Sequence, residues 1–183
     1  MNPGIFTIGH STTGADEFLA LLQANDLALL VDVRRFPASR RYPHYNSADM
    51  EGWLSEAGIG YVHFADLGGR RKPLADSTNC GWRNEGFRGY ADYMQTPVFV
   101  AALDRLLELS SGLRAVIMCA EAVPWRCHRN LIADALVLLR DTPVHHIISK
   151  SPPALHVPTQ FARVQDGLIM YTGDPPGQTD FLV

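Results

Sequence analysis

Apolar residues recur along this chain in two ways, as short unbroken runs and as 3.6-spaced stripes between them. Ile5-Phe6-Thr7-Ile8 predicts a first strand that ends at Gly9-His10-Ser11. A helix follows, with Thr13 and Asp16 as a capping pair and Phe18, Leu19, Leu21 and Leu22 as its apolar face. The segment 27–33 predicts a buried strand, because five apolar residues run together before Asp32. Ser47 is placed to cap a short helix bearing Met50, Trp53, Leu54 and Ala57, which Gly58 stops. A third strand is expected over 59–64. Thr96-Pro97 opens a helix with Phe99, Leu103, Leu106 and Leu107 on its face. A fourth strand over 114–118, a helix over 127–140 and a fifth strand over 144–148 complete the series. Past Ser149 the chain is proline-spaced, with a strand pair expected at 163–164 and 168–171 about Asp166-Gly167.

This alternation predicts an α/β fold: a single domain over 1–183 with a mostly parallel five-stranded sheet and helices on both faces. Residues 1–148 form its core and 149–183 a C-terminal extension. Two stretches, 34–46 and 65–88, carry no period. Loops as long as the second are functional or disordered, and its Trp82 and Phe87 argue for order.

Composition narrows the class. The chain has 183 residues, 46% of them hydrophobic and 19% charged, as in an ordinary globular protein. No apolar run approaches the ~20 residues that span a bilayer, so no membrane partner is expected. The N-terminus lacks the basic and apolar regions of a secretory leader. Three cysteines do not make a disulfide framework, so a cytoplasmic address is the default. The positive charge is uneven in kind and place: all but Lys72 and Lys150 of the 16 basic residues are Arg. Residues 34–88 hold nine basic residues against six acids, leaving that stretch at +3 and the rest of the −3 chain at −6. Codon usage accounts for Arg over Lys, but not for this clustering. The Arg fork suits phosphate and carboxylate.

In parallel sheets, ligands bind beyond the carboxyl ends of the strands. Three motifs leave those ends: Gly9-His10-Ser11, Asp32-Val33-Arg34 and Cys119-Ala120-Glu121. The candidate catalytic residues are therefore His10, Asp32, Cys119 and Glu121, together with His128. A strand, a turn and a helix start over 118–129 would make an anion-binding turn, where orphan N–H groups and the helix dipole favour negative charge. The same field would activate a thiol. Cys119 and Arg126 are spaced C-x6-R, one residue longer than the C-x5-R of cysteine phosphatases, and no Ser or Thr follows the Arg. Cys119, Cys127, His128 and His10 are all metal-ligand types. No metal site is expected, because adjacent Cys127 and His128 would diverge on a helix. Ligand contacts are expected from Ser11, Arg34, Arg40, Gly68, Gly69, Arg70, Arg71, Trp82, Arg83, Arg126 and Arg129. Basic residues interleaved with aromatics suit phosphates and stacked bases. The net negative charge excludes a broad duplex-DNA binder, though not a single-stranded end.

The blocks TIGHS (7–11), LVDVRRFPASRR (30–41), LGGRRKP (67–73), WRNEGFRGYADYM (82–94), MCAEAVPWRCHR (118–129) and QFARVQDGLIMY (160–171) resemble domain of unknown function family 488. The resemblance runs in order through nearly the whole chain. It implies hallmark positions at His10, Ser11, Asp32, Arg34, Gly68, Gly69, Arg70, Cys119, Glu121, Cys127, His128 and Arg129, and implies no reaction or cofactor. The sequence favours an enzyme, a hydrolase or transferase, acting on a small phosphorylated or nucleotide-like ligand. The alternatives are a non-catalytic module for nucleotides or nucleic-acid ends, and a thiol redox role for Cys119 with Cys127.

Overall fold

The computed structural model describes residues 4–173. Five parallel strands form its centre: β1 (Ile5–Gly9), β2 (Leu29–Asp32), β3 (Gly60–His63), β4 (Ala115–Cys119) and β5 (Val144–Ile147). The helices are α1 (Ala15–Ala24), α2 (Ser47–Glu56), α3 (Glu85–Met94), α4 (Pro97–Leu109) and α5 (Arg129–Arg140). The sheet order is β3-β2-β4-β1-β5-β6, where β6 (Ala154–Leu155) runs antiparallel to β5. The sheet therefore has six strands rather than the expected five. A two-residue edge strand carries no periodicity, so its pairing is set by β5 and not by its own sequence.

Alternation along the strands divides the apolar side chains between two cores. Phe6, Ile8, Leu30, Val116 and Met118 face α1 and α2, with Phe18, Leu22, Met50 and Leu54. Ile5, Val31, Ala115, Ile117 and Cys119 face α4 and α5, with Phe99, Leu103, Leu131 and Leu136. The residue after a strand thus has a determined side as well as a determined edge.

Local chemistry differs from expectation at three points. Gly14 is the N-cap of α1 and no side chain caps it, so Thr13 and Asp16 do not form a box. Helix α3 lies in and beyond the stretch assigned no period, and Asn84 caps it by accepting from the Phe87 N–H at 3.1 Å. Helix α5 starts at Arg129, two residues later than expected.

The segment between β3 and α3 is held by α3 itself. The buried Asp92 carboxylate accepts from Leu74 N–H at 2.8 Å, Ser77 Oγ at 2.6 Å and Asn79 Nδ2 at 2.8 Å. Beyond β6, β7 (Ala162–Gln165) and β8 (Leu168–Tyr171) pair as a separate hairpin. Asp166 and Gly167 both have positive φ, 52° and 76°, as a type I′ turn requires. Tyr171 then bonds to this same segment, its N–H donating to Asn79 Oδ1 at 2.9 Å and its carbonyl accepting from Gly81 N–H. No helix of the described residues is long and apolar enough to cross a membrane.

Candidate active site at the carboxyl edge of the sheet

Strands β2, β4 and β1 are neighbours, so the three motifs that leave them open on one rim. A cleft of about 900 Å³ lies there. Of the residues nominated from sequence, His10, Arg34, Arg40, Gly69, Arg70, Cys119, Glu121, Arg126 and His128 line it. Arg35, Phe36, Phe87 and Tyr90 of the basic and aromatic loops also line it, though not singled out as ligand contacts, and Asn84 has no signal in the sequence. Asn84, Phe87 and Tyr90 arrive on α3 or its cap, the helix without a legible pattern.

The side facing α1 and α2 is a charged layer. Asp32 is wholly buried and Arg34 nearly so. Arg34 donates from Nε to Oδ1 at 2.9 Å and from Nη2 to Oδ2 at 2.6 Å, while Nη2 also reaches the Tyr45 carbonyl at 2.8 Å. Tyr61 donates to Oδ2 at 2.9 Å. Asp32 therefore lies beneath the cleft as the partner of Arg34, and does not line it. His10 donates from Nδ1 to the Ser11 carbonyl at 3.0 Å and stacks on Tyr45 at 4.0 Å between centroids. Its Nε2 accepts from Arg34 Nη1 at 3.4 Å. Burial above all, with positive Arg34 beside it, lowers the His10 pKa to about 4, so the ring is neutral near pH 7.

The side facing α5 is a sulfur layer. Cys119 ends β4, and Cys127 and His128 come from the turn before α5. Cys127 is extended (φ −137°, ψ 148°) and His128 is αR (φ −57°, ψ −16°), so adjacent side chains converge here rather than diverge. The sequence predicts a helix from Cys127, whereas α5 starts only at Arg129. His128 donates from Nε2 to the Val33 carbonyl at 3.0 Å, which turns Nδ1 towards both sulfurs. Nδ1 lies 3.6 Å from Cys127 Sγ and 3.9 Å from Cys119 Sγ. Its hydrogen bond with Cys127, followed by burial, pushes the Cys119 thiol up. Burial opposes ionisation of Cys127 too, but the hydrogen bond from Cys119 and the charge of Arg129 hold its pKa well down.

Beneath this layer Arg129 is fully buried and outside the cleft. It donates from Nε to Cys127 Sγ at 3.4 Å, from Nη1 to Thr7 Oγ1 at 3.3 Å and from Nη2 to the Glu121 carbonyl at 2.5 Å. Its role is to hold the turn. A buried chain of bonds continues from Thr7 Oγ1 to His146 Nδ1 (2.8 Å), from His146 Nε2 to His156 Nδ1 (2.9 Å), and from His156 Nε2 to Asp134 Oδ1 (2.8 Å). Thr159 Oγ1 and Tyr171 Oη also donate to Asp134. Nothing in the sequence signals this chain, whose members come from four separate elements and a loop.

Several nominated residues serve the frame. Ser11 adopts φ 46° and its N–H donates to the Ala120 carbonyl at 2.9 Å, tying the β1 and β4 exits together. A Cβ at Gly68 would meet Arg35 Cα at 2.9 Å, and one at Gly69 would meet His128 Nδ1 at 2.8 Å, so both glycines permit close packing. Arg71 donates to the Gly68 carbonyl at 3.1 Å and lies over the Tyr93 ring at 3.6 Å. Trp82 packs on Phe87, Phe161 and Tyr171 rather than offering the cleft a stacking face. Arg83 is exposed and does not line the cleft.

Fold and site together define an α/β protein with an arginine-rimmed, thiol-floored cleft. A family model described as Domain of unknown function DUF488 matches residues 14–136, about two thirds of the chain, and the chain belongs to that family. No curated protein and no solved structure matches it.

Proposed function

We propose that the protein is an enzyme, a hydrolase or transferase, acting on a small phosphorylated or nucleotide-like anion in this cleft. The observation that carries the reading is the charge balance of the lining. Among the described residues, Arg34, Arg35, Arg40, Arg70 and Arg126 face a single carboxylate, Glu121. Arg34 is committed to Asp32, but the other four make no ion pair with a carboxylate among the described residues. Guanidinium groups without acidic partners around a concave site favour an oxyanion. Phe36, 63% exposed, and Phe87 supply an apolar flank of the kind a base or sugar needs. The floor brings Cys119, Cys127, His128 and Glu121 within one site, where group transfer finds its reactive and proton-carrying side chains.

Calorimetric titration with pyrophosphate and with AMP tests the binding step. Arg70→Ala and Arg126→Ala should each weaken binding by roughly tenfold or more, since each removes a charge-assisted contact. Unchanged affinity in both places the anion elsewhere. Turnover is tested by phosphate release from a nucleotide panel. Cys119→Ser and Glu121→Gln should bind normally and release nothing. Binding without turnover in the unmodified protein would instead establish a non-catalytic nucleotide or nucleic-acid-end module.

A further inference from the structure

The geometry points to a thiophilic divalent metal site, with zinc the natural occupant, formed by Cys119 Sγ, Cys127 Sγ and His128 Nδ1 at the floor of the cleft. These three atoms all lie within 4.8 Å of one another. Tetrahedral zinc, with Zn–S ~2.3 Å and Zn–N ~2.0–2.1 Å, places neighbouring sulfur and nitrogen ligands ~3.6 Å apart. The two Sγ–Nδ1 separations, 3.6 and 3.9 Å, lie within a few tenths of an ångström of that spacing.

Three further features suit a metal. The Val33 carbonyl takes the Nε2–H of His128, which fixes the tautomer whose Nδ1 lone pair faces the sulfurs. Ligating histidines are oriented by this kind of outer bond. Arg129 donates to Cys127 Sγ from both Nε, at 3.4 Å, and its backbone N–H, at 3.5 Å, which would neutralise part of the charge of a two-thiolate site. The backbone is also locked: a Cβ at Gly69 would strike the His128 ring, and the Glu121 carbonyl is held by Arg129 Nη2.

The ligand count assigns the kind of site. Structural zinc is closed by four protein ligands, whereas three with an open position is the catalytic pattern. Among the described residues only these three group together, and all three line the cleft. The fourth position therefore faces the arginine rim, where a water or an anion oxygen would complete it. Sulfur and imidazole donors select zinc over magnesium or calcium. The site stands independently of the anion reading, because the rim arginines are not ligands.

Cobalt(II) titration of the fully reduced protein tests it. One equivalent should give a sulfur-to-cobalt charge-transfer band and the intense visible bands of tetrahedral cobalt, and zinc should displace both. Cys119→Ser and Cys127→Ser should each lose the charge-transfer intensity, while His128→Gln should weaken zinc binding by about 100-fold or more. Cys80→Ser, which alters the exposed third cysteine, should leave every band unchanged. Circular dichroism on each variant separates lost ligation from lost fold. Should a ligand variant fail to fold, the unmodified protein and Cys80→Ser still decide. Absence of the bands in the reduced protein overturns the site, as does their loss in Cys80→Ser or their survival in folded Cys119→Ser. Pyrophosphate titration of metal-free protein reports on the rim separately, so either reading can fail alone.

Discussion

Asp32 and Arg34 form a two-bonded ion pair, Nε to Oδ1 at 2.9 Å and Nη2 to Oδ2 at 2.6 Å, with both side chains out of solvent. Breaking a buried pair from one side strands the other charge. Asp32→Asn keeps the shape and removes the counter-charge, so it should destabilise the fold by about 3–5 kcal/mol. Asp32→Leu combined with Arg34→Met should recover much of that loss. Urea unfolding of the three proteins checks this, and a double variant as unstable as Asp32→Asn would show that the pair also positions its neighbours.

Asp92 should control the order of the 74–79 segment. Three donors converge on its carboxylate, and one, the Asn79 side chain, is fully buried. Asp92→Ala leaves those donors without an acceptor, at a cost of about 1–3 kcal/mol for a buried one. Limited proteolysis should then cut between residues 74 and 83 at a higher rate, with the helical signal retained.

Backbone proximity at the rim makes a sharp contrast between two glycines. A Cβ at Gly9 would land on the Glu121 carbonyl oxygen and lie 2.8 Å from Arg129 Nη2. Gly9→Ala should therefore lower Tm by about 5 °C or more, taking ~2–4 °C per kcal/mol for a chain of this size. Gly52, inside α2, has nothing among the described residues within 4 Å of such a Cβ. Gly52→Ala should stabilise by about 0.5–1 kcal/mol. Thermal melts decide both.

The buried histidine chain should make stability depend on pH. Burial first, then the neighbouring His156, Arg129 and His145, lower the His146 pKa from 6.5 to about 4, against the opposing charge of Asp134. Between those values the unfolded chain binds a proton that the folded chain refuses. Stability from this group is complete above about pH 6.5 and is lost progressively as pH falls towards 4. His146→Gln should flatten that slope in urea unfolding at pH 4.5 and 7; an unaltered slope would assign the acid sensitivity to other groups.

The sequence by itself determined the local elements and the edge on which the cleft lies. Apolar runs specify β1, β2 and β4, Thr96-Pro97 specifies the start of α4, and Asp166-Gly167 specifies the hairpin, because each is settled by neighbours a few residues away. The strand-end rule then brings Gly9, Asp32 and Cys119 to one rim without reference to contacts. Tertiary structure decided which face each residue takes and what it meets there. Cα pairing sets Asp32 beside Met118 and Gly9 beside Cys119, so Asp32 turns to α2 while Cys119 turns to α5. Arg34 and Arg129, nominated as anion ligands, are claimed by partners inside the protein, and the cleft guanidiniums without an ion pair among the described residues are those of Arg35, Arg40, Arg70 and Arg126. Cys127 and His128 converge because the chain is still extended before α5. Thr7 and His146 bond across 139 positions because β5 lies beside β1. Such pairings follow from strand order, a global property to which no local period is sensitive.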